Sequence, residues 1–166
     1  MKKQGKENSE NKPIRQRRTI GAIMAIPVDG YYVYMQSLDF GREVVFDYRS
    51  DTILTDLTPL LKAKELFRVC VYAYPISNGT WRKIGKLPIR EDLTSTPMQF
   101  IYHAYNGKFE LYNPETGNMI PSTKEQCKVL EPAAIWGQEH VEQRVRDYYN
   151  GKPCSILKNL FELVNF

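Results

Sequence analysis

The sequence predicts an α+β fold: a strongly bent antiparallel β-sheet, curling towards a small SH3-like barrel, with a late α-helix packed on it. Three observations predict this. Turn signals punctuate the first two thirds of the chain, and the runs between them are rich in Ile, Val, Tyr and Phe, residues that suit a pleated surface. The chain of 166 residues contains eleven tyrosines, which add to that preference. Towards the C-terminus the apolar period becomes helical, with Val141, Val145 and Tyr148 at i, i+4, i+7.

Residues 1–18, MKKQGKENSENKPIRQRR, have almost no large apolar side chains. Burial cannot offset the entropy of ordering such a segment, so it is expected to be a flexible basic tail ahead of a single domain spanning residues 19–166. The tail holds seven basic and two acidic residues, which leaves 16 basic and 17 acidic in the rest of the chain. The formal net charge of +4 is therefore a property of the tail, and the domain body is close to neutral.

"TIGAIMAIP" reads as a strand closed by Pro27, and "VDG" as a turn whose Asp-Gly tolerates positive φ. "YYVYMQSL" returns as the second strand. It sets Tyr32 and Tyr34 on one face and Tyr31 and Val33 on the other, so one tyrosine face is expected to look away from the core. "REVVFDYRS" reads as a third strand, and "LTPLLKAKEL" as a helical turn or a loop. "LFRVCVYAYPI" is apolar on both faces except for Arg68, as in the middle of a sheet. "SNGT" turns it into "WRKIGKLPI", a returning strand that would complete a second hairpin. "PMQFIYHAYNGKFELYNPETGNMIPST" reads as a meander of short strands. The helix through Val141 stops at Gly151 and Pro153. "SILKNLFELVNF" follows as a strand or a short helix.

The three cysteines, Cys70, Cys127 and Cys154, are odd in number and lack C-x-x-C spacing. This argues against a zinc site or a disulfide framework and for a reducing, cytoplasmic setting, with Cys70 a buried thiol. No run approaches the roughly 18 apolar residues that span a bilayer, and no apolar core follows the N-terminal lysines as in a secretory signal. His103 and His140 are the only histidines. His140-x-Glu142 followed by Pro153-Cys154 has the outline of a zinc deaminase motif, but Leu157 stands where the further cysteine belongs. No metal or cofactor site is expected, and no phosphate-loop or nucleophile-elbow motif is present.

The helix "QEHVEQRVRDYY" carries two polar stripes. His140, Arg144 and Asp147 lie about 100° from the apolar stripe, at the edge of the buried face. Glu139, Glu142 and Arg146 lie further out and are candidates for the charged rim of a partner contact. Arg144 with Asp147 (i, i+3) and Glu142 with Arg146 (i, i+4) have ion-pair spacing. The pattern fits a solvated helix laced with ion pairs, or acids and Arg144 fixed at a groove between helix and sheet. Trp81 and Trp136 suit either a core anchor or a ligand platform. In "TWRKIGK", Trp81, Arg82, Lys83 and Lys86 form the one basic-aromatic cluster of the domain. With the tail it supports nucleic-acid binding as the alternative, less favoured, function.

Taken together, "GAIMAIPVDGYYVY", "TWRKIGKLPI" and "AAIWGQEHVEQRVRDYYNGK" resemble the immunity protein 26 family of bacterial toxin–immunity systems. The resemblance rests on Gly21, Ile26, Pro27, Asp29 and Gly30, on Trp81, Ile84 and Gly85, and on Trp136, Gly137, Glu142 and Arg144, with Asp147 in the same helix. It covers most of residues 19–153. It implies a small α+β protein that binds and neutralises a cognate protein toxin without catalysis or a cofactor. Whether these residues serve structure or partner contact stays open, since Gly, Pro and Trp also satisfy turns and cores.

Overall fold

The computed structural model describes residues 14–166, and the tail predicted over residues 1–18 therefore lies mostly outside the described residues. In chain order come β1 (Ala22–Val28), β2 (Tyr31–Ser37), β3 (Arg42–Ser50), β4 (Glu65–Val71), the short α1 (Tyr74–Ser77) and β5 (Arg82–Lys86). Next are β6 (Gln99–His103), β7 (Lys108–Tyr112), β8 (Met119–Ser122), α2 (Lys124–Cys127), β9 (Glu131–Pro132), β10 (Ile135–Trp136), α3 (Gln138–Tyr149) and α4 (Ser155–Leu163).

The α+β class holds, with a late helix on the sheet. Two sheets form instead of one: a six-stranded sheet in the order β10-β4-β3-β2-β1-β5 and a four-stranded sheet in the order β8-β7-β6-β9. Neither closes into a barrel, because β5 and β10 lie at opposite edges of the larger sheet. Register shifts at Ile23/Met24, Val33/Met35 and Val45/Phe46 bend its central strands.

The first hairpin forms as expected. Asp29 and Gly30 have φ of 45° and 86°, the paired positive values that match the twist of the flanking strands. Pro27 sits beyond Ala25–Arg82, the last pair between β1 and β5, where its missing N–H leaves no ladder bond unmade. The expected second hairpin does not form. The strand from Leu66 stops at Val71, because Tyr74-Pro75-Ile76 turns into α1, and this turn carries the chain across the sheet. β5 then pairs with the free edge of β1, with Ile23 opposite Gly85. β4 lies between β3 and the two-residue β10, so it is next to an edge.

Both faces of the large sheet are covered. Met24, Ile26, Val33, Met35, Val45, Trp81, Val141 and Val145 form one core beneath α3. Ile23, Ala25, Tyr34, Val44, Phe46 and Leu60 form the other, roofed by the loop after β3 through Ile53, Leu54 and Leu57. "LTPLLKAKEL" contributes a 3-10 turn, Thr58–Leu61, to that roof. Tyr34 is therefore fully buried, with its hydroxyl 2.6 Å from Ser50 Oγ, and neither tyrosine face of β2 is left without a core. The C-terminal segment resolves as helix α4.

Residues 14–18, read from the sequence as tail, lie against the body. The Gln16 amide donates to the carbonyls of Ile76 (2.8 Å) and Trp81 (2.9 Å) and accepts from Lys83 N–H (2.8 Å). Arg18 Nε reaches the fully buried Glu43 at 2.5 Å.

Candidate functional site

Of the residues singled out in the sequence, Trp81, Asp29, Glu142 and Arg146 meet at the seam between α3 and the large sheet. Trp81, fully buried, donates from Nε1 to Glu142 Oε1 at 3.0 Å. Arg146 does not pair with Glu142 as its spacing suggested. Its Nε and Nη2 reach Asp29 at 2.7 and 3.1 Å and hold that carboxyl below the usual range. The turn residue of the first hairpin is thereby tied to the helix.

Arg144 also makes a different pair from the expected one with Asp147. It binds both carboxylate oxygens of Glu131 in β9, one of them at 3.0 Å, and so links α3 to the smaller sheet. Its guanidinium lies 4.1 Å from the centre of the Phe67 ring and 5.1 Å from that of Trp136. A planar, weakly hydrated cation is suited to this stacked, bidentate position.

Asp147 turns to the start of α4, where Oδ2 accepts from Ser155 N–H (2.8 Å) and Oγ–H (2.7 Å) while Gln143 donates to Oδ1 (2.7 Å). Burial works to raise its pKa. The Ser155 and Gln143 hydrogen bonds outweigh that and hold it below the ordinary value. Four donors at a helix start lack partners within the helix, and Asp147 satisfies one of them from a distance. Tyr148 is outside the buried stripe, 46% exposed with its hydroxyl on Asp47 (2.7 Å). Tyr149 takes the inner place at i+8, edge-on to Tyr31. Glu139 is exposed and accepts from Tyr74 Oη–H at 3.3 Å.

Two of the motif glycines, Gly21 and Gly85, stand where a side chain would collide. At Gly21, with φ of 81°, a Cβ would lie 2.8 Å from the Leu87 carbonyl; at Gly85 it would lie 2.7 Å from Leu57 Cδ1. Gly137 precedes α3 in an extended conformation.

A second feature lies between the two sheets and was not found from the sequence. A cavity of about 430 Å³ is lined by Phe40, Arg42, Cys70, Gln99, Ile101, Tyr112 and Ile135, among others. A smaller one, about 230 Å³, shares Arg42 and Gln99 with it and extends to Arg68 and Glu131. Arg68, the polar exception in its strand, is paired with Glu65 (2.6 Å) and donates to the Ser95 carbonyl (2.5 Å). Arg42 is 4% exposed, and burial lowers its pKa. Cys70, expected to be buried, is half-buried in the wall. The sequence signal was slight: an Arg at the start of an apolar strand, behind Phe40-Gly41.

Among the described residues, no three His, Cys, Asp or Glu side chains gather closely enough to hold a metal ion, and no helix is long and apolar enough to cross a membrane. The three cysteines are free. Trp81, the aromatic member of the basic cluster, has no exposed face on which a base could stack. Searches against family models, curated proteins and solved structures find no match to this chain.

Proposed function

We propose that this protein is a cytoplasmic immunity protein that binds and neutralises a cognate bacterial toxin stoichiometrically, without chemistry of its own. The resemblance to the immunity protein 26 family supplies the function. The observation that carries it is the convergence of the three motif segments, remote in sequence, on one seam. Trp81 bonds Glu142 and Asp29 bonds Arg146 at that seam, while Gly85 pairs with Ile23 between β5 and β1, against the opposite core. On this reading most of the motif builds the scaffold, and affinity comes from surface elsewhere. The groove between the sheets, with Phe40 (58% exposed) and Ile135 (55% exposed) at its edge, has the apolar character of a contact centre.

The test is co-purification with the product of the neighbouring toxin gene, together with survival of cells expressing that product. Binding and protection are expected. A protein that neither binds the product nor protects the cells is not an immunity protein for it. Nucleic-acid binding, the alternative, is tested by titrating DNA and RNA across salt with and without residues 1–13, and no binding by the body is expected.

A further inference from the structure

Arg42 opens β3 opposite Cys70 and is buried between the sheets. Among the described residues, its buried Nη2 has no hydrogen-bond partner. Glu115 acts on it through space, but Glu115 Oε1 is itself engaged by Thr96 N–H at 2.6 Å. Arg68, in the adjoining cavity, has Glu65 as its counter-charge, whereas among the described residues no acid lies within ion-pair distance of Arg42. A cation taken out of water without an acid is costly, unless a ligand brings the missing charge.

The groove mouth is built to receive one. Phe40 has φ of 57°, a left-handed conformation that is strained for a residue with a bulky side chain. It is exposed, yet its ring lies 5.4 Å from the Arg42 guanidinium carbon. Ile135, also exposed, and Tyr112 line the same cavity. Apolar and aromatic edges around one desolvated charge are the makings of an interface hot spot. A single guanidinium carries the one positive charge that a single carboxylate balances. A phosphate dianion would call for a second free cation, and the neighbouring Arg68 is already neutralised.

We infer that this groove receives an acidic side chain of the partner protein, its carboxylate pairing with Arg42 while apolar residues beside it pack on Phe40 and Ile135. The partner's identity rests on the proposed immunity function; the carboxylate preference rests on Arg42 alone.

Two measurements test it. The first titrates Arg42→Met and Phe40→Ala against the product of the neighbouring toxin gene. Arg42→Met is expected to weaken binding by about 30-fold or more, and Phe40→Ala by about tenfold. Arg42→Met should also melt no lower than the parent, since it removes an unpaired buried charge of similar volume. The second follows the Arg42 Nε–H resonance in the free protein during titration with N-acetylglutamate and, separately, N-acetylglutamine. A shift with the acid alone is expected. Parent-like toxin affinity in both variants overturns the proposal, and so does a resonance that ignores the acid. If N-acetylglutamate binds while toxin affinity is unchanged in both variants, the groove is a small-acid site and the partner proposal fails. If Arg42→Met does not fold, the exposed Phe40→Ala decides. If the toxin product binds no form, the immunity reading fails, and the resonance titration still decides whether Arg42 takes a carboxylate.

Discussion

Trp81 Nε1 donates to Glu142 Oε1 at 3.0 Å across 61 residues of chain, fixing helix α3 over the edge where β5 joins β1. The indole is fully buried, so its N–H has no recourse to water if the acceptor is lost. Glu142→Ala is expected to lower stability by about 1–3 kcal/mol, the cost of an unsatisfied buried donor. Glu142→Gln keeps a carbonyl acceptor and should cost less than about 1 kcal/mol. Urea unfolding of the two variants beside the parent checks the order. Equal losses in both would mean that the carboxylate charge, and not the acceptor, matters.

Arg144 ties α3 to the smaller sheet through Glu131 and fills the space between Phe67 and Trp136. Arg144→Ala removes the bidentate pair and uncovers both rings, and should lower stability by about 2 kcal/mol or more. Arg144→Lys should recover less than half, because an ammonium neither forks onto a carboxylate nor stacks between rings. Affinity for the proposed toxin partner, measured where both variants are folded, should stay near the parent value if Arg144 only locks the helix. Thermal melts and a binding titration on the same samples separate the two roles.

Local patterns made part of the fold legible. The Asp-Gly hairpin, the third strand, the meander and α3 each carry their signal within a few residues. What failed depended on partners distant in sequence. Nothing in "WRKIGKLPI" says that its strand pairs with β1 and not β4; that follows from Pro75 turning the chain into α1. The ion pairs inferred from helix spacing gave way to longer-range ones, since Asp29 and Glu131 come to the helix from other elements. Arg42 was invisible for the same reason: its isolation is a property of the space between two sheets. The expectation that one tyrosine face of β2 looks away from the core failed because a loop without regular periodicity roofs the second face.

Asp147 gives α3 and α4 a shared acid dependence. Its folded pKa lies below the ordinary carboxylate value, so its contribution is present above about pH 4 and is lost as pH falls through the folded value. Asp147→Asn retains one acceptor but loses the charge-assisted bonds to Ser155, at a cost of about 1–2 kcal/mol near neutrality. The gap between parent and variant should narrow as pH falls below about 4. Chemical unfolding at a series of pH values measures it, and a gap that stays constant into acid rules out this role for the ionised carboxylate.

Arg18 and Glu43 set the opposite sign. Glu43 is fully buried, its Oε2 has no hydrogen-bond partner among the described residues, and burial raises its pKa against the opposing charge of Arg18. The folded state therefore holds the Glu43 proton more tightly than the unfolded chain. Stability from this group falls as pH rises from the ordinary carboxylate value through the raised folded one. Arg18 limits that loss, with its Nη2 also donating to the carbonyls of Leu38 (2.6 Å) and Arg42 (2.9 Å). Arg18→Ala strands the carboxylate and should cost about 3 kcal/mol at neutral pH. The deficit should shrink as pH is lowered and Glu43 takes up its proton. Adding Glu43→Gln to Arg18→Ala should restore much of the loss at neutral pH, because the buried charge is gone. A double variant as unstable as Arg18→Ala alone would place the loss in the two carbonyl contacts instead. Such a result would make residues 14–18 a strap held by backbone acceptors and not by the buried acid.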